Sequence, residues 1–390
     1  MYAFQLWREY KLSLAEIYAL FPTTKIEYVD KNVCILDTQD KNLVLTKVEH
    51  MGGAIKVIEL SPDYRGKSAH SIASSLEHFE WKFRYGLSVL AETGLRWDQS
   101  LKLLLMDAKK LLKEKWISTR FVNKNFTNLS SAQIIGENLV ERGTDFTLIV
   151  AGDTEYFGKT VWVQDIENYS KRDYGKTRDM EVGMLPPKLA QMMIHISGWK
   201  IVYDPFCGLG TVLIESILMQ HNAVYGSDIS AENIEKTKEN ITFATMNFKN
   251  SLKESQTQVL DARGISSSPF LKQADAIVTE GYLGQIFQKY SVTEKKLIEE
   301  KQKLLEIYSK FFEGLSRGNF KGNIVICFPF WDVKGKYFYF HEVYAIIEKY
   351  CKILPLLPHH PEMQQTRAWS LLYKRPDQIV GREIFKLKIK

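Results

Sequence analysis

The residues best suited to chemistry in this 390-residue chain are acids that close apolar runs, and the first of them sits at a glycine turn. Ile201-Val202-Tyr203 leads into Asp204-Pro205-Phe206-Cys207-Gly208-Leu209-Gly210-Thr211, and Val212–Met219 follows with helix-compatible composition. Strand, tight turn and helix start are predicted in that order. Glycine lets the turn backbone approach a ligand, and the first turn of a helix offers unpaired N–H groups, so the natural occupant is a nucleotide-like cofactor. The third glycine of a dinucleotide fingerprint would fall at Leu213, which is too bulky for that role, and NAD is disfavoured.

The pattern of acids repeats. Ala223–Ile229 reads as a second strand closing on Asp228, Gln258–Ala262 as a third closing on Asp261, and Ala274–Gly284 as a fourth with Glu280 at its end. A carboxylate at the second strand end can accept both hydroxyls of a ribose, and one at the third can meet an adenine amine. Any one of these acids alone is more often a surface or cap residue; the ordered series carries the inference. A strand-end acid beside the glycines suits a ligand with a positive charge and hydroxyls but no phosphate, which describes S-adenosylmethionine. The expected cofactor contacts are Asp204, Phe206, Gly208, Gly210 and Thr211 in the turn. Asp228, Ile229, Asp261 and Ala262 are expected after the next two strands.

Composition sets bounds on the rest. A 45% hydrophobic content supports two or three folded domains, and a net charge of +6 permits a nucleic-acid partner without requiring one. Cys34, Cys207, Cys327 and Cys351 are dispersed, without a Cys-x-x-Cys pair, so neither zinc nor a disulfide framework is indicated. The start lacks a basic-then-apolar leader pattern, and no apolar run approaches the ~20 residues that span a bilayer. A soluble cytoplasmic protein without metal or membrane partner is expected. His359-His360-Pro361-Glu362 reads as a loop rather than a metal site.

The elements that must position these residues follow from periodicity. Near the start, a strand at Tyr2–Leu6 precedes a helix predicted from the capping box Ser13-Leu14-Ala15-Glu16, then β-rich segments at Val33–Leu36, Asn42–Thr46 and Ile55–Glu59. Between Trp97 and Trp116 the apolar residues recur at helical spacing, with Lys102, Lys109 and Lys113 on the opposite side. A strand near Ile117–Val122, a helix over Ser131–Glu141 stopped by Gly143, and strands at Phe146–Val150 and Thr160–Val163 complete a second α+β unit. Its basic and aromatic residues, Lys109, Lys113 and Arg120 among them, suit either RNA phosphates and bases or a plain solvated face. Tyr169–Arg178 is a cationic link holding Arg172 and Tyr174, and Pro186-Pro187 can open a helix. A second capping box is predicted at Ser291 and Glu294 before a long charged helix. Asn323–Pro329 reads as a buried strand. Trp369–Tyr373 and Glu383–Leu387 read as a hairpin closing the sheet edge.

Lys171–Lys176, Gly183–Ala190 and Asp204–Thr211 together resemble the THUMP-domain class I RNA methyltransferases, typified by archaeal and eukaryotic enzymes that methylate the N2 amine of guanosine 10 in tRNA. The resemblance covers nearly the whole chain. It implies an α/β protein: a ferredoxin-like α+β domain at 1–62, a THUMP domain at 63–166, a linker at 167–183 and a class I (Rossmann-like) methyltransferase domain at 184–390. It further implies tRNA as partner, with Lys109, Lys113, Arg120, Arg172 and Tyr174 as RNA contacts, and a small activating protein as a partner of some relatives. Amino-directed members carry Asp-Pro-Pro-Tyr-Gly where this chain has Glu280-Gly281-Tyr282-Leu283-Gly284. By resemblance Glu280 would accept from the target amine, with Tyr282 or Phe328 stacking on the base. Glutamate is a methylene longer, and Gly281 removes a φ lock. The alternative implied is an RNA-binding protein with a methyltransferase fold and an altered loop.

Overall fold

The structure, a computed structural model, describes residues 1–62, 72–74, 83–91, 99–123, 128–174, 185–198, 201–221, 223–248, 254–287, 292–358 and 363–390, except the side chains of 99–102, 104, 173 and 174. The stretch 359–362, read as a loop rather than a metal site, and Ser291 lie outside the described residues. The chain divides into two compact units. One comprises Met1–Ser13, Thr23–Glu49 and Gly53–Asn168; the other comprises Leu14–Pro22, His50–Gly52 and Tyr169–Lys390.

Among the described residues the first unit is built on one eight-stranded sheet. Its strands are β1 (Tyr2–Leu6), β2 (Ile26–Val29), β3 (Val33–Leu36), β4 (Ala54–Leu60), β5 (Phe83–Ala91), β6 (Thr119–Phe121), β7 (Gly143–Ala151) and β8 (Thr154–Val163), in the order β2-β3-β1-β4-β8-β7-β5-β6. Antiparallel pairing of β4 with β8, from Lys56↔Val163 to Leu60↔Gly158, makes the sheet continuous across residue 62. One polar cluster is buried in it: Lys56 Nζ lies 2.8 Å from Asp145 Oδ2, which also accepts from the Thr160 hydroxyl at 2.7 Å. Every charge there has a partner, as burial demands.

Three elements of the first half of the chain differ from those expected of the sequence. The helix expected from Ser13 runs over Tyr10–Leu20, so Ser13 lies inside it and its hydroxyl donates back to the Glu9 carbonyl. Asn42–Thr46 is helical, not extended, within Lys41–Val48, because Asp40 caps that helix by accepting from Leu43 N at 2.9 Å. The helix at Ser131 ends at Gly136, and Gly143 opens β7 instead of stopping a helix.

The second unit is a Rossmann-like α/β sheet. Its strands are β9 (Ile201–Asp204), β10 (Ala223–Asp228), β11 (Ser255–Val259), β12 (Ala276–Thr279), β13 (Asn323–Val333), β14 (Lys336–Tyr339), β15 (Cys351–Leu354), β16 (Leu371–Tyr373) and β17 (Val380–Ile389), with the path β11-β10-β9-β12-β13-β17-β15. Strands β9 to β13 pair in parallel, and the order reverses between β9 and β12. Such a switch point leaves a crevice at the carboxyl ends of the strands, where ligands bind in open α/β sheets.

The last strand does not close an edge as expected. It forms the hairpin with β16, but it also inserts antiparallel between β13 and β15, matched to β13 from Asn323↔Lys388 to Trp331↔Val380. Its nearly continuous burial requires cover on both faces. The core collects Tyr203, Ile277, Tyr308, Phe311, Phe312, Ile326, Phe328 and Phe385. The long helix spans Glu294–Arg317 and is capped by Thr293, which accepts from Lys296 N, in place of the expected cap at Ser291.

Candidate active site at the sheet switch point

The glycine turn is shaped from behind by the helix Ala231–Asn247. Thr237 Oγ1 donates to the Gly208 carbonyl at 2.7 Å, and Asn240 Nδ2 donates to the Leu209 carbonyl at 3.0 Å. With those carbonyls engaged by the helix, the turn conformation is held. Gly210 has φ +82°, and a Cβ there would stand 2.8 Å from Thr237 Cγ2, so glycine is needed for both backbone and space. The helix Thr211–Leu218 starts directly after it.

Asp228, at the end of β10, accepts from Gly208 N at 3.0 Å and from Ser230 N at 2.9 Å. The second strand-end acid is thereby tied to the first turn. Ile229 beside it is 64% exposed, an apolar side chain held open at the site. Asp261 caps the 3-10 segment Ala262–Ser267 and pairs with Arg263 at 2.5 Å, which holds its carboxyl below the usual range chiefly through that hydrogen bond. Ala262 and Thr211 are buried, while Phe206 is half-buried against Phe311 and Tyr308.

Asp204 is buried, and no ion pair joins it among the described residues. Burial pushes its carboxyl up to about 7; the Asp228 and Glu280 charges push the same way, and hydrogen bonds from Thr279 and Phe206 N oppose them. A buried acid raised in this way is the environment that a cationic ligand would restore to ionisation. The residue set therefore fits S-adenosylmethionine: glycines that open the turn to a ligand, a carboxylate at Asp228 for hydroxyls, and a buried acid at Asp204 for a cation.

Glu280 follows the end of β12 and meets a residue that the sequence reading did not single out. Arg382 Nε, on β17, donates to Glu280 Oε1 at 2.5 Å, and the two side chains are 2% and 19% exposed. The sequence carried little signal for it: Arg382 shares Val380–Ile389 with Glu383, Lys386 and Lys388, and only its burial demands an acid. The loop after Glu280 is also held. The Tyr308 hydroxyl donates to the Tyr282 carbonyl at 2.8 Å, and Glu300 accepts from Gln285 N at 2.8 Å. Tyr282 is 43% exposed, whereas Phe328 is fully buried against Tyr308 and Phe385 and has no face for a base.

The expected RNA contacts separate into kinds. Lys109 and Lys113 are exposed on the helix Gln99–Glu114 of the first unit. Arg120 pairs with Glu137 at 2.7 Å, and Arg84 reaches the same carboxylate. Arg172, in the second unit, is half-buried and turned to an internal partner. It pairs with the buried Glu215 at 2.7 Å and stacks 4.1 Å from the Tyr169 ring centroid. The Tyr174 side chain lies outside the described residues. Among the described residues no group of three or more His, Cys, Asp or Glu is gathered as metal ligands, and no helix is long and apolar enough to cross a membrane.

Residues 175–329 match the UPF0020 family, described as RMKL-like, methyltransferase domain. A tRNA (guanine(10)-N2)-dimethyltransferase of Methanothermobacter thermautotrophicus is 30% identical over 152 residues, a stretch that spans 33% of this chain and 45% of that protein. Among solved structures, TrmN from Thermus thermophilus aligns over 100% of this chain and 99% of its own, at 14% identity and a TM-score of 0.49. SMU.472, solved in complex with SAH, aligns over 98% and 97%, at 10% identity and a TM-score of 0.46. The glycine turn and the strand-end acids thus lie within or beside the stretch, residues 175–329, that is similar to the RMKL-like methyltransferase domain.

Proposed function

We propose that the chain is a cytoplasmic S-adenosylmethionine-dependent tRNA methyltransferase acting on the exocyclic N2 amine of a guanosine. The observation that supports this reading best is the convergence of Asp204, Asp228 and Glu280 on the carboxyl ends of β9, β10 and β12, around a glycine turn at the sheet's switch point. The partial relative, named for guanine-N2 chemistry in tRNA, supports the choice of acceptor.

In this reading the turn Asp204–Thr211 and the pair Asp228 and Ile229 hold the cofactor, with Asp261 and Ala262 at its adenine end. A bound cofactor would supply an electrophilic sulfonium methyl to the amine nitrogen, which would give up one proton to solvent in exchange. The protein's task is to make a poor nucleophile available. An exocyclic amine delocalises its lone pair into the ring, and Glu280 turns it outward by accepting an amine hydrogen. Tyr282, which is 43% exposed, stacks on the extruded base.

Residues 1–62 serve as the ferredoxin-like domain, 63–166 as the THUMP domain, 167–183 as linker and 184–390 as the catalytic domain. Lys109 and Lys113 contact tRNA phosphates, and a small protein partner activates the enzyme.

Incubation with tRNA and methyl-labelled cofactor, followed by digestion and mass spectrometry of nucleosides, tests the proposal. Labelled N2-methylated guanosine is expected, with the protein alone or after adding a cell extract to supply the partner. Measurable cofactor binding with no transfer to any RNA under either condition would leave a protein that binds without methylating.

A further inference from the structure

A glutamate at position 280 and a glycine at 281 leave the acceptor less constrained than a short acid followed by proline. The side chain has an extra rotatable bond. Gly281 adopts φ +70°, which proline cannot reach, and a Cβ there would stand 2.5 Å from the Tyr308 hydroxyl and 3.1 Å from the Cys327 carbonyl. The backbone of this loop is thus fixed by packing, but nothing in the loop itself fixes the carboxylate.

The constraint comes from across the sheet. Arg382 stands opposite Pro329 in the register of β17 on β13, is 2% exposed, and directs Nε to Glu280 Oε1. Its guanidinium lies 5.7 Å from the Tyr373 ring centroid, and Nη1 reaches Gln378 Oε1 at 3.4 Å. Among the described residues the bond from Arg382 is the one hydrogen bond that Glu280 makes. A buried guanidinium is costly without an anion, and a half-buried carboxylate is costly without a cation, so each holds the other.

We propose that Arg382 is the positioning residue of the site: it pins Oε1 of Glu280 so that Oε2 is left to accept a hydrogen from the target amine. The proposal rests on the reading of Glu280 as the amine acceptor. Arg382 touches neither cofactor nor base; it acts through Glu280. The planar guanidinium is suited to this because Nε–H donates from a fixed direction, whereas an ammonium donates from a rotating point.

A double-mutant cycle tests it. Steady-state transfer to tRNA and calorimetric cofactor affinity are measured for wild type, Glu280→Gln, Arg382→Met, Arg382→Lys and the two double variants. Arg382→Met is expected to lower kcat on the order of 100-fold, the cost of a misplacement of about 1 Å, with cofactor affinity unchanged. Arg382→Lys should recover part of that loss. In the Glu280→Gln background either change should cost less than about threefold, because its route of action is already gone. Equal fold-losses in both backgrounds, or a loss seen in cofactor affinity instead of kcat, would overturn the positioning role. If Arg382→Met loses its near-UV circular dichroism, the lysine arm of the cycle decides by the same criterion. A wild type that transfers to no RNA overturns the acceptor reading and this role with it; an active wild type with independent losses overturns this role alone.

Discussion

Leu213 and Gly226 are fitted to each other across the helix–sheet interface: a Cβ on Gly226 would lie 2.7 Å from Leu213 Cδ2 and 3.3 Å from Cys207 Sγ. Leu213 occupies the place of the third glycine of a dinucleotide turn, and the room for its side chain is provided from β10. The helix can therefore pack closely on the sheet without that glycine.

Gly226→Ala is accordingly expected to destabilise the second unit by about 1–3 kcal/mol through overpacking. The double variant with Leu213→Ala should lose less than the sum of the two single losses, since the truncated leucine vacates the contested space. Denaturant unfolding of the four proteins measures the coupling; strict additivity would mean that the two sites do not share that space.

Asp204 gives a pH dependence with a defined sign. Its folded value is raised from 3.8 to about 7, so the stability it contributes is complete below the unfolded value and is lost as pH rises through about 7. Relative to Asp204→Asn, the wild type should lose on the order of 4 kcal/mol between pH 4 and pH 8. Saturating S-adenosylmethionine should reduce the loss by supplying positive charge. Parallel thermal melts of the two proteins across pH check both statements, and curves that stay parallel would remove Asp204 as the titrating group.

Arg172→Met should act on folding more than on RNA. Its partner Glu215 is 1% exposed, and removing one member of a buried pair typically costs about 3–5 kcal/mol. Chemical denaturation and tRNA titration of the same variant separate the two effects: a stable variant with weakened RNA binding would return Arg172 to the RNA surface.

Replacing Lys109 and Lys113 with glutamine should do the reverse. Both are exposed, so stability should change by less than ~0.5 kcal/mol. The slope of log affinity for tRNA against log salt should become shallower by ~1.5–2, as two phosphate contacts are lost. An unchanged slope assigns the pair to solvation.

Much of the second unit was legible from residue order alone, because its signals are local. Two glycines that must adopt positive φ, and acids placed where apolar runs stop, depend only on neighbours in the chain. Asp204 and Asp228 consequently end their strands, Glu280 directly follows β12, and Gly208 and Gly210 stand in the turn with positive φ. The local signals that misled were those with a tertiary competitor. Ser13 and Glu16 match a capping box, yet Glu16 is buried, accepts from Gly52 N at 3.0 Å and lies 2.6 Å from His195 Nδ1. Asn42–Thr46 has strand-like residues, but the cap at Asp40 favours helix.

The sequence by itself determined the strand–turn–helix and its series of acids, since backbone sterics and hydrophobic periodicity act over a few residues. Tertiary structure decided which charges meet. Arg382 is 102 residues from Glu280 and Arg172 is 43 from Glu215, and no spacing rule couples such positions. Burial does so instead, because a charge taken out of water must end beside its opposite. One cation expected at an RNA rim is thereby spent inside the protein, and another that drew no notice stands against the acid of the altered loop.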